Sequence, residues 1–227
     1  MSESKSVPLV IIPSYNSGQF LRELLERLGK VHPLADSLIV DDGSTDDTEV
    51  QSLKYQVNIV KHSENRGKGL ALVSGFQFAF QNGYKAVITM DADLQHPPEY
   101  IPKLIKAAEG GRYDMVIGSR RLQLRKMPFL RRLTNYLTSV IVTTLTKTYI
   151  PDSQSGFRYI SLEVIKNIQL TEPGYQLETE IIIKAARSGY KIGHIPIPAI
   201  YNDAPSSIKK FRDTIRFIRL TLRSLYF

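Results

Sequence analysis

The chain has 227 residues, with 30 Lys and Arg against 22 Asp and Glu (formal net charge +8), 42% hydrophobic and 23% charged residues, four His and no Cys. That length holds one sizeable core or two small ones, the composition excludes a disordered chain, and the lack of Cys excludes disulfides and thiolate metal sites. No stretch reaches the roughly 20 apolar residues that span a bilayer, and the polar start lacks the basic-then-apolar order of a signal peptide, so a cytoplasmic protein is expected.

The first half alternates strand and helix patterns. Residues 9–12 form an apolar run ended by Pro13, which predicts a buried strand. Phe20, Leu21, Leu24, Leu25 and Leu28 recur at helical spacing. A second strand over 38–40 stops at Asp41-Asp42-Gly43-Ser44, a turn signal, and Thr45-Asp46 starts a helix. Residues 58–60 predict a third strand, and Leu70, Val73, Phe76 and Phe80 a helical face. A fourth strand over 86–90 ends at Asp91-Ala92-Asp93; a helix over 100–108 follows Pro97-Pro98, then a fifth strand over 115–117.

The second half is less regular. Residues 130–148 read as a helix despite many Thr, 152–158 as a polar loop, 177–187 as a helix and 191–195 as a strand. Residues 202–207 separate this core from a last helix. The expected fold class is α/β, a mostly parallel central sheet flanked by helices. Ligands of such sheets bind beyond the carboxyl ends of the strands, so Ser14-Tyr15-Asn16, Asp41-Asp42 and residues 91–95 are expected to share one crevice.

Asp91-Ala92-Asp93-Leu94-Gln95 is the strongest chemical signal. Two carboxylates just past a strand, with an amide oxygen beside them, offer the hard donors that Mg²⁺ prefers; a solvated turn is the plainer alternative. Asp41 or Asp42 offers an acceptor for a nucleobase or ribose, and Asp46 or Thr45 a helix cap. Asn65-Arg66-Gly67-Lys68-Gly69 is a basic glycine-rich loop suited to a phosphate or a base, although it matches neither the P-loop nor the dinucleotide fingerprint.

Together, Pro13-Ser14-Tyr15-Asn16, the stretch from Val40 to Thr48 with its Asp-Asp-Gly-Ser, Asn65-x-Gly67-Lys68-Gly69 and the run from Asp91 through Gln95-His96-Pro97-Pro98-Glu99 resemble the family 2 inverting glycosyltransferases of GT-A fold. Among these the chain is most similar to the polyprenyl-phosphate sugar synthases, such as dolichol-phosphate mannose synthase. Gly118-Ser119-Arg120, Arg131-Arg132-x-x-Asn135, Asp152-x-x-Ser155-Gly156-Phe157-Arg158 and Glu178-x-Glu180 extend the match to about 200 residues.

The resemblance implies the following. The donor is a nucleotide-diphosphate sugar of the GDP-mannose or UDP-glucose type. Pro13, Tyr15, Asn16, Asp41, Asp42, Lys68, Asp91 and Ala92 bind its nucleotide. Asp91, Asp93 and Gln95 hold Mg²⁺ or Mn²⁺. Arg120, Arg131, Arg132, Asp152, Ser155, Arg158 and Glu178 face a lipid-phosphate acceptor, with Asp93, Arg120 and Arg132 closest to the chemistry. Residues 1–118 form the nucleotide and metal half of a 1–203 domain, and 119–203 the acceptor half. The chain has no Trp, so the Gln-x-x-Arg-Trp motif of processive relatives is absent and polymer synthesis is not expected.

A lipid phosphate is already anionic, so its attack needs positioning and charge compensation rather than a base. A hydroxyl acceptor, the alternative, would need a carboxylate base; Asp152, Glu178 and Glu180 are the candidates. The acid-free interval between Asp114 and Asp152, rich in Arg, favours the phosphate. Residues 208–227 carry six bases and one acid, with Ile208, Phe211, Ile215, Ile218, Leu222 and Leu225 at helical spacing. Such a helix suits an anionic membrane surface at the inner face of the membrane; packing on a second subunit is its rival use. A basic nucleic-acid-binding α/β domain is the non-enzyme alternative, disfavoured because paired strand-end acids repel phosphates.

Overall fold

The computed structural model describes residues 5–120, 129–200, 217, 219–221 and 223–224, with the backbone alone at 129–131. Seven strands form one sheet: β1 (Leu9–Ser14), β2 (Ser37–Asp41), β3 (Asn58–Lys61), β4 (Ala86–Thr89), β5 (Met115–Ser119), β6 (Arg158–Ser161) and β7 (Ile192–Pro196). Their order is β3-β2-β1-β4-β6-β5-β7. All neighbours are parallel except β6, which runs antiparallel to both β4 and β5.

Among the described residues the continuous α-helices are α1 (Gly18–Leu28), α2 (Thr48–Leu53), α3 (Lys68–Gln81), α4 (Ile101–Ala108), α5 (Phe129–Thr146), α6 (Leu162–Asn167) and α7 (Gln176–Arg187). The period-2 alternation of the strands sorts the core into two layers. Val10, Ile12, Ile39, Ile88 and Val116 face Leu21, Leu24 and Leu25 of α1 and Ile101 and Leu104 of α4. Leu9, Ile11, Leu38 and Val40 face Leu72 and Phe76 of α3, Val142 of α5, Val164 of α6 and Ile181 of α7. Helices thus pack on both faces of the sheet.

The expected alternation from 9 to 117 is what forms. β6 and α6 were not expected. The segment read as a polar loop closes into β6 at Arg158, whose side chain is 1% exposed. The helix expected from Thr45 starts at Thr48. Asp46 caps it: its Oδ1 accepts from the Thr48 N–H at 3.0 Å and its Oδ2 from the Gly18 N–H at 3.0 Å, so one carboxylate serves the first turns of α1 and α2.

Most of the last helix, 208–227, lies outside the described residues, as do Arg121, Arg125 and Lys126 of the central basic block. Where it is described, Leu220 and Ser224 are buried at 1%, and Arg187 donates from Nη1 to the Ser224 carbonyl. Neither buried residue is among the six apolar positions that the spacing singled out. Among the described residues no helix is long and apolar enough to cross a membrane.

Candidate functional site

β1 lies between β2 and β4, so the chain steps first to one side of β1 and then to the other. This switch point opens a crevice beyond the carboxyl ends of the strands. β5 shares their direction, and antiparallel β6 starts at the same edge. Residues 14–16, 41–42, 91–95, 119–120 and 152–158 therefore meet there.

At the β2 end the two aspartates separate. Asp41 is fully buried; its Oδ1 accepts from the Ser44 N–H at 2.9 Å, while its Oδ2 is buried without a hydrogen-bond partner. Asp42 is spent within the protein. Its Oδ1 meets His62 Nδ1 at 2.7 Å and the Arg66 N–H at 2.9 Å, and its Oδ2 accepts from the Gly67 N–H at 2.7 Å. Asp42, expected at the base or ribose, tethers the 65–67 loop in this structure, with two contacts on Oδ1 and one on Oδ2. Pro13 is part of β1, and Asn16, at φ 50°, accepts from the Thr45 N–H at 2.9 Å. Tyr15 is 47% exposed, an open ring at the rim.

Gly67, at φ 92°, precedes α3 and sends Lys68, its first residue, back into the crevice. Lys68 Nζ lies 2.5 Å from Asp91 Oδ1 and 3.1 Å from Glu178 Oε2. Burial pulls its pKa down, but the two carboxylates outweigh this and hold it above the ordinary lysine value. Burial pushes the Asp91 carboxyl up, and Lys68 more than offsets it, leaving Asp91 well below the carboxylate range. Glu178 Oε1 is buried without a hydrogen-bond partner. Gly156 closes the cluster: a Cβ there would stand 2.8 Å from Glu178 Oε1 and 3.0 Å from Lys68 Nζ.

The turn after β4 is tightly built. His96 Nδ1 accepts from the Asp91 N–H at 2.9 Å, and its ring stacks on Phe157 at 5.4 Å. Burial pulls the His96 pKa down to about 4, which keeps Nδ1 an acceptor. Ala92 is 4% exposed in the core. Leu94 takes φ 63°, a strained conformation for a bulky side chain, and Asp93 Oδ1 accepts from the Gln95 N–H at 3.0 Å. Burial and the neighbouring Asp91 charge push the Asp93 carboxyl up. Asp91, Asp93 and Gln95 thus bring hard oxygen donors to one turn, a donor set that fits a divalent cation. Among the described residues no cluster of three or more His, Cys, Asp or Glu side chains is ready-made for one.

On the acceptor side, Asp152 is 1% exposed and grips Arg120 with both oxygens: Nε to Oδ2 at 2.8 Å and Nη2 to Oδ1 at 3.0 Å. The Arg120 N–H and Asn135 Nδ2 complete its bonding at 3.1 Å each. Asp152, expected at the acceptor, holds Arg120 in this structure. Ser155 and Arg158, also expected at the acceptor, lie within the 152–158 segment and the start of β6. Ser155 is fully buried, and Arg158 donates to the carbonyls of Ser155 at 2.6 Å, Ser153 at 3.0 Å and Glu178 at 2.5 Å. Their work is to fold the 152–158 loop. Glu180, a candidate base, is spent on the Thr171 and Glu172 N–H groups and on Lys184 at 2.7 Å. Arg132 borders a groove along α5 with Asn135; the Arg131 side chain lies outside the described residues.

His62 was missed in the sequence, and His96 and Gly156 stood in the matched motifs with no role of their own. His62 follows a strand, as the aspartates do, and its position could have drawn attention.

A model described as Glycosyl transferase family 2 matches residues 9–168. A UDP-N-acetylglucosamine–dolichyl-phosphate N-acetylglucosaminyltransferase of Methanococcus voltae is 32% identical over 216 residues, covering 86% of this chain and 86% of the relative. An undecaprenyl-phosphate mannosyltransferase of Micrococcus luteus is 30% identical over 210 residues, covering 88% and 86%. Among solved structures, glucosyl-3-phosphoglycerate synthase from Mycobacterium tuberculosis, in complex with Mn²⁺, UDP-glucose and phosphoglyceric acid, superposes with a TM-score of 0.76 at 19% identity, covering 96% of this chain and 80% of that one.

Proposed function

The chain belongs to glycosyl transferase family 2, and from that premise we propose that it moves a hexose from a nucleotide-diphosphate sugar to a polyprenyl phosphate with inversion at the anomeric carbon. The family excludes the reading as a nucleic-acid-binding domain. The observation that carries the acceptor class is the Arg120–Asp152 pair at the end of β5: a guanidinium aimed by a buried carboxylate is a preset phosphate receptor. Relatives whose names carry dolichyl or undecaprenyl phosphate support the same class.

Residues 1–118 would serve the donor and 119–203 the acceptor. The Tyr15 ring offers a face to the base. Asp41 Oδ2, buried without a hydrogen-bond partner, awaits a donor such as a base N–H or a ribose hydroxyl. Lys68, held at the head of α3 by the Asp42-tethered loop, lies beside the diphosphate. Asp91, Asp93 and Gln95 would hold Mg²⁺ or Mn²⁺, which supplies charge compensation for the departing nucleoside diphosphate. Arg120, with Arg132 at the end of the α5 groove, orients the acceptor oxygen for in-line attack and keeps it anionic; no residue needs to take a proton. Lipid substrate places the working enzyme at a membrane surface, and the basic 208–227 segment suits an anionic one.

A hydroxyl acceptor has one observation in its favour. Of the three candidate bases, only Glu178 keeps a buried carboxylate oxygen without a hydrogen-bond partner. Incubation with Mn²⁺, a panel of sugar nucleotides and either polyprenyl phosphate or hydroxyl acceptors, followed by nucleoside diphosphate release, separates the two. Release that depends on the lipid phosphate supports the proposal; release only with hydroxyl acceptors overturns it.

A further inference from the structure

α5 looks too polar for an apolar surface, because it carries Thr134, Thr138, Thr143, Thr144 and Thr146. The structure hides that polarity. Thr138 Oγ1 donates to the Thr134 carbonyl at 3.0 Å, Thr144 Oγ1 to the Val140 carbonyl at 2.9 Å and Thr146 Oγ1 to the Val142 carbonyl at 2.7 Å. Thr143 Oγ1 is occupied by the Ile150 N–H at 3.0 Å. With these hydroxyls folded onto backbone, the threonines present methyl groups.

Beside them Leu133, Tyr136, Leu137, Val140 and Ile141 are 37–56% exposed, at the 3- and 4-residue spacing of one helix face. A groove of about 200 Å³ runs between this helix and residues 149–151. Its lining has Arg132 and Asn135 at one end, side chains such as Val140, Thr144 and Ile150 along its length, and no carboxylate. From Asn135 to Thr144 the helix rises about 13 Å.

The cationic end is continuous with the catalytic crevice. Asn135 Nδ2 donates to the same Asp152 that aims Arg120. An occupant with an anionic head at Arg120 and Arg132 would therefore run its tail along α5. We propose that this groove receives the proximal isoprenoid chain of the acceptor lipid, so that α5 reads the tail while Arg120 reads the phosphate. The inference rests on the polyprenyl-phosphate reading above.

The test uses the full chain and two acceptors: a long polyprenyl phosphate and dimethylallyl phosphate, which has a single isoprene unit. Val140 is 44% exposed, so its replacement does not threaten the fold. Val140→Glu places a charge where the chain would lie. It is expected to lower the preference for the long over the short acceptor, read as the ratio of kcat/KM, by roughly tenfold; Val140→Leu should keep it. A farnesyl phosphate carrying a diazirine in its tail should crosslink to residues 132–146. An unchanged preference in Val140→Glu, or crosslinks only outside α5 and 149–151, overturns the groove while leaving transfer to lipid phosphate standing. Transfer to hydroxyl acceptors alone overturns the underlying reading and the groove with it.

Discussion

Lys68 and Asp91 form a 2.5 Å ion pair that ties the first residue of α3 to the turn after β4. The pair joins two loops that the sequence separates by more than 20 residues, and Glu178 shares the lysine from a third element. Breaking a fully buried pair costs about 3–5 kcal/mol. The Asp91 side chain is 31% exposed, so water recovers part of that loss. Lys68→Met is expected to lower stability by about 1–3 kcal/mol and to weaken nucleoside diphosphate binding. Urea unfolding and calorimetry check the two effects; an unmoved midpoint would mean that the pair adds nothing to the fold.

Asp93 lies in the 91–95 turn just beyond β4, where burial and the neighbouring Asp91 charge push its carboxyl up. Asp93→Ala is expected to reduce transfer by about a hundredfold or more with an unchanged circular dichroism spectrum. Turnover at the parent rate would remove Asp93 from the chemistry.

Arg120 owes its direction to Asp152. Asp152→Asn keeps the shape but withdraws the charge that pairs with the guanidinium. The expected result is a rise of about tenfold in the acceptor KM with a smaller change for the donor. Arg132→Ala should show the same asymmetry. Equal losses for donor and acceptor would place these residues outside the acceptor side.

Acid sensitivity follows from Asp152 and Glu180. Burial pushes both carboxyls up, but Arg120 for the first and Lys184 with the Thr171 groups for the second more than offset it, so both end below their ordinary values. A depressed carboxyl stabilises the fold above its unfolded value, near pH 4, and the gain disappears as the pH falls through the lower folded value. Stability measured by urea unfolding should therefore be flat near neutrality and fall below about pH 5. Glu180→Gln should be less stable at neutral pH and show a shallower acid slope; an acid slope equal to that of the parent would exclude Glu180 as a contributor.

Much of this was legible in the chain, and the failures have local reasons. The apolar runs of β1, β2, β4 and β5 are buried on both faces, so they announce themselves as parallel strands. β6 does not. Its four residues, Arg158-Tyr159-Ile160-Ser161, alternate buried and half-buried, and the buried arginine is explained only by carbonyls gathered from Ser153, Ser155 and Glu178. The Asp41-Asp42 pair was visible, but which carboxylate turns inward depends on His62 and the 65–67 loop, which arrive from another strand. In α5 the threonines read as polar because the sequence does not show that their hydroxyls are already satisfied.

The strand order has a consequence for biosynthesis. Among the described residues β5 pairs with β6 and β7 alone, both of which follow it in the chain. On the ribosome, β1 to β4 have all their mutual partners as soon as β4 emerges, whereas β5 must wait some 40 residues for β6 to be made. The first four strands can thus close while the nascent protein still lacks the strand that wedges β5 against them. The β6-β5-β7 side of the sheet is the last to be assembled.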